Sequence, residues 1–386
     1  MTSEWKECTL AELGEIVGGA TPSTKDEQNY GGDIAWITPK DLSTLKGRFI
    51  SHGERNITEK GLRSCSTQIM PKNTVLFSSR APIGYVAIAS NPVCTNQGFK
   101  SIIVNEDNDP MFLYYLLKFN KSTIEAMGSG TTFKEVSGST MRGIRVHVPV
   151  SKAEQQRIAS VLAALDSKIE SNTKVNDNLE QQAKALYEEM FLNTPDKNMT
   201  SGTLSDIATI TMGQSPNGNS YNESSTGEVF YQGRAEFGFR FPTRRLFTTE
   251  PKRMAEAGDI LLSVRAPVGD LNVAYEKCCI GRGLGAIHSK DGKNSFLLYT
   301  MYALRPQLDV FNGEGTVFGS INRDALNSMP LDIPSAERIA QFEATVHPMD
   351  ELIRTNYEEI CRLESLRDSL LPKLMSGEID VSDIQL

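Results

Sequence analysis

The sequence has only four histidines, and its six cysteines (Cys8, Cys65, Cys94, Cys278, Cys279 and Cys361) form no Cys-x-x-Cys pair. Zinc and iron sites draw their ligands from such clusters, so a metal centre is not expected. Scattered cysteines also exclude a disulfide framework and suit reduced thiols in a cytoplasmic protein. No run of eighteen apolar residues exists, which excludes a transmembrane helix. The opening MTSEWKECTLAEL holds acids and no apolar stretch, so no signal peptide is expected. Nucleotide signatures are missing too. "KDGKNS" at Lys290 has neither the first glycine nor the Ser/Thr of a phosphate loop, and "GRGLG" at Gly281 has the wrong spacing for a dinucleotide fingerprint. There is no Gly-x-Ser-x-Gly elbow and no Asn-Pro-Pro-Tyr-type tetrapeptide for methylating an exocyclic amine. These gaps predict a chain without a catalytic centre.

Taken over the whole chain, the net charge of −8 argues against a nucleic-acid partner. The regional balance changes that reading. Residues 1–150 carry 16 basic and 15 acidic side chains, and residues 201–334 carry 13 and 14, whereas residues 335–386 carry 5 and 11. The two near-neutral segments can still gather Arg and Lys on one face.

What the chain has instead is a repeat. "TVLFSSRAPIG" from Thr74 returns as "DILLSVRAPVG" from Asp259, at an offset of 185. At the same offset "CTNQGFKSI" from Cys94 lies over "CIGRGLGAI" from Cys279, and "GSGTTF" from Gly128 over "GEGTVF" from Gly313. Upstream the offset grows to 194, where "LAELGEIVGGATPS" from Leu10 meets "LSDIATITMGQSPN" from Leu204, a drift that loop lengths explain. Within each copy, "IAWITP", "TVLFSS", "YVAIAS" and "IRVHVP" read as short strands bounded by Gly, Pro and Asn. "FLYYLLKF" (Phe112–Phe119) and "SFLLYTMYAL" (Ser295–Leu304) do not alternate and read as buried helices. An α+β fold follows.

The tails differ in kind. Ile158, Leu162, Leu165, Ile169, Asn172, Asn176, Leu179, Ala183, Leu186 and Met190 recur at steps of four and three. Phe342, Val346, Met349, Ile353, Asn356, Ile360, Leu363, Arg367, Leu370 and Leu374 do the same. Each is a heptad seam of about five repeats. Ser151 and Glu154 have capping-box spacing at the start of the first helix, Pro195 follows it, and Gly377 follows the second. The expected organisation is a first domain (1–150), a helical spacer and linker (151–200), a second domain (201–334), and a second helical spacer with a tail (335–386). Two rods packed antiparallel would make the whole pseudo-two-fold symmetric. The polar Asn172, Asn176 and Asn356 suit a device that fixes register.

The copies agree in scaffold and diverge in loops rich in planar donors. The first offers Thr38 and Lys40 in "TPKDL", Asn96, Gln97 and Lys100 in "TNQGFK", and Lys134. The second offers Gln232 and Arg234 in "YQGRAEFG", Arg240, Arg244 and Arg245 in "RFPTRRLF", and Arg282 in "IGRGLG". Arg80 and Arg265 stand at matched positions in the doubled turn, where they touch phosphate or brace the turn; Pro82, Pro267, Gly84 and Gly269 need no role beyond turn geometry. Arg, Lys, Gln and Asn can read base edges, and the first two also neutralise phosphates. Phe99, Phe133, Phe239, Phe241 and Phe318 interleave with them. Two modules on one frame, reading two different DNA sequences, fit this pattern.

"RAPIG" and "RAPVG", "TNQGF", "FYQGRAEFG", "EQQRIASVLAALDSKIE" and the closing "LLPKLMSGEI" together resemble the specificity subunits of Type I restriction–modification systems, over the whole length. The resemblance implies a non-catalytic subunit whose two target-recognition domains each read one half of a bipartite, asymmetric site in double-stranded DNA, with the helices setting the gap. It implies as partners two modification subunits, which methylate adenine after flipping it from the stack, and restriction subunits with translocase and nuclease activity. S-adenosylmethionine, ATP and Mg would then belong to those partners, and none would be bound by this chain. Two rivals are a fused enzyme, for which motifs and spare length are missing, and a tandem scaffold that does not touch DNA.

Overall fold

The computed structural model describes residues 4–130, 134–194, 198–313 and 319–381. It divides into two compact units, Met1–Lys174 with Asn356–Leu386, and Val175–Thr355.

In the first unit the repeat begins and ends side by side, because strand Trp5–Thr9 pairs antiparallel with Arg145–Pro149. The main sheet runs in the order Gly14–Gly18, Lys100–Val104, Val75–Ser79, Ile83–Ala89 and Phe49–Ile50. Its pairs are antiparallel except the last, which is parallel. Val75–Ser79 is buried at every position because both faces of the sheet are covered. Alternation then sorts its side chains. Val75 and Phe77 join a core with helix Pro110–Phe119, while Leu76 packs with Ala87, Ala89 and Phe99 on the other side. That helix starts where Asp109 Oδ1 accepts from the Phe112 N–H at 2.8 Å and Pro110 fills the first turn.

The second unit repeats the plan. Thr200–Thr203 pairs antiparallel with Pro330–Ile333. Its sheet runs Ala208–Met212, Leu284–Ser289, Ile260–Ser263, Leu271–Val273, all antiparallel. Helix Asn294–Ala303 is buried from Ser295 to Met301, the counterpart of Pro110–Phe119. Each unit also has one short parallel pair, Trp36–Ile37 with Cys94–Thr95 in the first and Phe230–Tyr231 with Cys279–Ile280 in the second. The class is α+β, with two homologous domains, as the repeat requires.

The doubled Ser-x-Arg-Ala-Pro-x-Gly string is a strand end and a turn, locked by its serine. Ser78 Oγ donates to the Pro82 carbonyl and accepts from the Tyr85 N–H, both at 2.8 Å. Ser263 Oγ does the same with the Pro267 carbonyl at 2.8 Å and the Asp270 N–H at 2.9 Å. Both Ala–Pro bonds are cis, and Gly84 and Gly269 sit at φ +99° and +101°, a region that glycine enters without strain. The arginines are left to point elsewhere.

Two long helices, Lys152–Tyr187 and Ala336–Met375, follow the domains in sequence. The first starts directly after Ser151, and Gly377 closes the second with φ +76° and its N–H on the Leu374 carbonyl at 3.3 Å. Pro195 lies outside the described residues. None of the seam positions read from the sequence is exposed: Leu162, Asn172, Asn176, Ile353 and Asn356 are buried, and Leu165, Ile169, Leu179, Met349, Ile360 and Leu363 are half-buried. Within the first unit the helices run antiparallel. Ile158 and Leu162 share a core with Leu374 and Met375, Arg367 reaches Asp166 at 2.9 Å, and Asn172 Nδ2 donates to Glu359 at 2.7 Å. Within the second, Phe342 packs edge-to-face with Tyr187 and Phe191, centroids 5.6 and 5.4 Å away, and the Arg338 guanidinium donates to the Met190 carbonyl. That direction is antiparallel as well.

Candidate nucleic-acid interface

The doubled turn places one arginine of each copy at the edge of its domain, and the neighbours of the two differ. In the first copy Arg80 lies 3.5 Å from one oxygen of Glu135, and Lys100 lies 3.3 Å from the other. One carboxylate thus serves two cations. The backbone bridge between Arg80 and Glu135 recurs between Arg265 and Ser320, so the second copy has a hydroxyl where the first has the carboxylate. Gly285 stands there in place of Lys100.

In the second copy Arg265, Arg282 and Arg323 line one concavity of about 630 Å³, together with Met212, Ala266 and Asn322. All three arginines are exposed, and among the described residues none has a carboxylate within ion-pair distance. Asn322 caps the short helix Arg323–Asn327 through its Oδ1 and the Ala325 N–H at 2.9 Å, which fixes where Arg323 leaves the backbone. Three guanidinium groups on one groove can take phosphate oxygens or the acceptor edge of guanine. Arg323 was not among the residues read from the sequence. At the offset of 185 it lies over Gly138, so the criterion of divergence on a shared frame that singled out Arg282 would have found it.

Other sequence candidates are placed less freely. Gln97 and Gln232 are exposed, Gln97 accepting from Thr21 Oγ1; Lys134 is exposed too. Thr38 is a helix cap: its N–H and Oγ1 both donate to Asp41 Oδ2 at 2.7 Å. Asn96 folds its own loop, its Oδ1 accepting from the Gly98 N–H at 2.8 Å. Lys40 meets Glu54 at 2.6 Å on open surface. Arg234 shares Asp270 with Arg305, which donates at 2.9 Å. Burial pushes the Asp270 carboxyl up, but the bonds from Arg305 and Arg234 outweigh it and hold the group below the usual aspartate range. Arg244 pairs with Glu276, and Arg245 with Glu236 at 2.7 Å. Phe239 is exposed; Phe99 and Phe241 are core rings, while Phe133 and Phe318 lie outside the described residues.

One expectation is corrected. Arg240 is no loop donor for DNA, because it is 3 % exposed and bonds Asp350 at 2.7 Å, Glu180 at 3.3 Å and the Tyr299 hydroxyl at 3.2 Å. Its counterpart, 192 positions earlier in keeping with the drift of the repeat, is Arg48. Arg48 is 6 % exposed and donates to Glu170 at 3.0 Å, Ser167 Oγ at 2.7 Å and the Ala163 carbonyl at 3.1 Å. Tyr115 completes the parallel by donating to Asp166 at 2.6 Å, as Tyr299 donates to Asp350 at 3.0 Å. Each copy thus pins its domain to a long helix with a buried arginine, a tyrosine and an aspartate. A lone arginine in a polar string carries no sign of burial, since its partners are distant in sequence.

No helix of the described residues is long and apolar enough to cross a membrane, and no group of three or more His, Cys, Asp or Glu among them could hold a metal ion. The family model described as Type I restriction modification DNA specificity domain matches residues 2–181 and 196–362. The chain is 32 % identical over 415 residues to the Type I restriction enzyme MjaIX specificity subunit of Methanocaldococcus jannaschii, covering 99 % of this chain and 95 % of that one. It is 30 % identical over 405 residues to a putative Type I restriction enzyme MjaX specificity subunit of the same organism, covering 98 % and 94 %. Among solved structures, the S subunit of a Type I restriction–modification system from M. genitalium overlays with a TM-score of 0.59 at 18 % identity, covering 96 % of each chain, a likeness of fold.

Proposed function

The chain belongs to the Type I restriction–modification DNA specificity family, and from that premise we propose how it performs target recognition. It recognises a bipartite, asymmetric site in double-stranded DNA, one half per domain, with the long helices setting the gap. It has no catalytic centre and binds no cofactor of its own. It carries two modification subunits, which supply S-adenosylmethionine chemistry to adenine, and restriction subunits, which supply ATP- and Mg-dependent translocation and cleavage. All of this would take place in the cytoplasm.

One observation supports this reading most. The same turn, held by the same serine bonds, is accompanied by different residues at matched positions in each copy: Arg80, Gln97, Lys100 and Glu135 in one, and Arg265, Arg282, Gly285 and Ser320 in the other. A frame kept twice with its reading surface changed suits two half-sites of different sequence. Side chains able to reach base edges carry such discrimination, at ~1–3 kcal/mol for a good bidentate pair. Co-expression with a matching modification subunit and mapping of methylated adenines by long-read sequencing tests it. A split motif with a fixed gap is expected. A complex that forms and methylates without any sequence motif would remove the DNA-reading role and leave a scaffold.

A further inference from the structure

The two copies differ in charge at the same place: Glu135, Gln97, Gly138 and Lys100 of the first stand where the second has Ser320, Arg282, Arg323 and Gly285. Glu135 in the first copy accepts from Lys100 at 3.3 Å and forms an ion pair with Arg80 at 3.5 Å. The bridge-equivalent residue of the second copy is Ser320, which is neutral. In that copy Arg265, Arg282 and Arg323 face one concavity with no carboxylate partner among the described residues. Like charges lining one groove repel, and an incoming anion relieves that repulsion. Guanidinium groups that line one groove can also share a bound phosphate.

We propose that Arg323, with Arg265 and Arg282, forms the main phosphate- and guanine-binding site of the second domain, and that Glu135 cancels the corresponding site in the first. The proposal rests on the DNA-recognition reading above. The two domains then divide the work unequally. The second supplies most of the salt-sensitive attraction, and the first reads through neutral donors such as Gln97. Arg323 is therefore a specificity and affinity determinant of the second half-site, and Glu135 a negative determinant of the first.

The test uses the full chain and a 30-base-pair duplex of random sequence, with fluorescence anisotropy read at salt steps from 50 to 200 mM. Each phosphate contact contributes about 0.9 to the slope of log affinity against log salt. Arg323→Ala and Arg265→Ala should each flatten the slope by about one, which over this fourfold salt range is about fourfold less loss of affinity. Arg80→Ala should leave it unchanged. Glu135→Gln should steepen it by one to two as Arg80 and Lys100 are released, and the reciprocal Ser320→Glu should flatten it. All five positions are exposed or half-exposed, so wild-type melting temperatures are expected. An unchanged slope in Arg323→Ala overturns the site. Equal effects of Arg80→Ala and Arg265→Ala, or no steepening in Glu135→Gln, overturn the cancellation by Glu135. Wild-type chain with no salt-dependent binding at all would instead overturn DNA reading by the chain itself, a separate failure.

Discussion

Replacing Arg48 with methionine tests whether the buried arginine holds the first domain on its helix. The guanidinium has four acceptors within 3.3 Å: both oxygens of Glu170, Ser167 Oγ and the Ala163 carbonyl. Methionine keeps the length and apolar stem but removes every side-chain donor, leaving the Glu170 carboxylate with only the backbone N–H of residue 48 and without its countercharge. Breaking a buried ion pair from one side costs ~3–5 kcal/mol. Glu170 is 23 % exposed, so water repays part of this and the lower end, ~3 kcal/mol, is expected. Both tryptophans, Trp5 and Trp36, lie in the same unit as Arg48, so tryptophan fluorescence reports its unfolding directly. With a urea slope of ~2–3 kcal/mol/M, the fluorescence midpoint should fall by ~1–1.5 M. Adding Glu170→Gln to Arg48→Met should then recover part of the loss, because the stranded charge disappears. A midpoint shift below ~0.3 M, or a double variant as unstable as the sum of the singles, would refute the clamp.

Three further outcomes follow from the same geometry. Leu162→Ala removes a fully buried side chain from the core shared with Leu374 and should cost ~2–5 kcal/mol in urea unfolding; a loss under ~1 kcal/mol would mean the helices do not depend on that seam. Asp270 titrates lower when folded, so its stabilisation is complete above the unfolded aspartate value of ~3.9 and disappears as pH falls through the folded one. Asp270→Asn should thus be less stable than wild type at pH 6, with the gap closing below pH ~4; a constant gap would contradict this. Arg282→Ala and Arg234→Ala should change or abolish one half of the methylation motif and leave the other half and the gap intact, as sequencing would show; an unchanged motif in both would remove those two assignments.

How far the sequence could be read depended on how local each signal was. The turns, the strand "TVLFSS" and the helices from Pro110 and Asn294 rest on short-range patterns and stand where expected. The heptad seams survive too, because a three–four spacing reflects burial along one helix face. The site was read less well. Whether Arg80 is free depends on Glu135, and whether Arg240 is buried depends on Asp350, 110 positions away. A charged letter in a loop looks alike in both situations. Thr38 and Asn96 were drawn into local capping and loop bonds, which planar or hydroxyl donors form as readily as they bind bases. Only the three-dimensional neighbourhood separates these uses.

The division of the chain into units has a consequence for its synthesis. The first unit is not made of a contiguous stretch; it needs Asn356–Leu386 as well as Met1–Lys174. Leu374, Met375 and Val381 lie in its core, and Gly377 lies against the Trp5 ring. On the ribosome, the domain that emerges first therefore waits, with part of its apolar surface uncovered, for residues made some 200 positions later. The second unit, Val175–Thr355, is continuous and can close before those residues appear. A stop codon near residue 356 would thus harm the unit encoded mostly at the opposite end of the gene, and spare the one beside it.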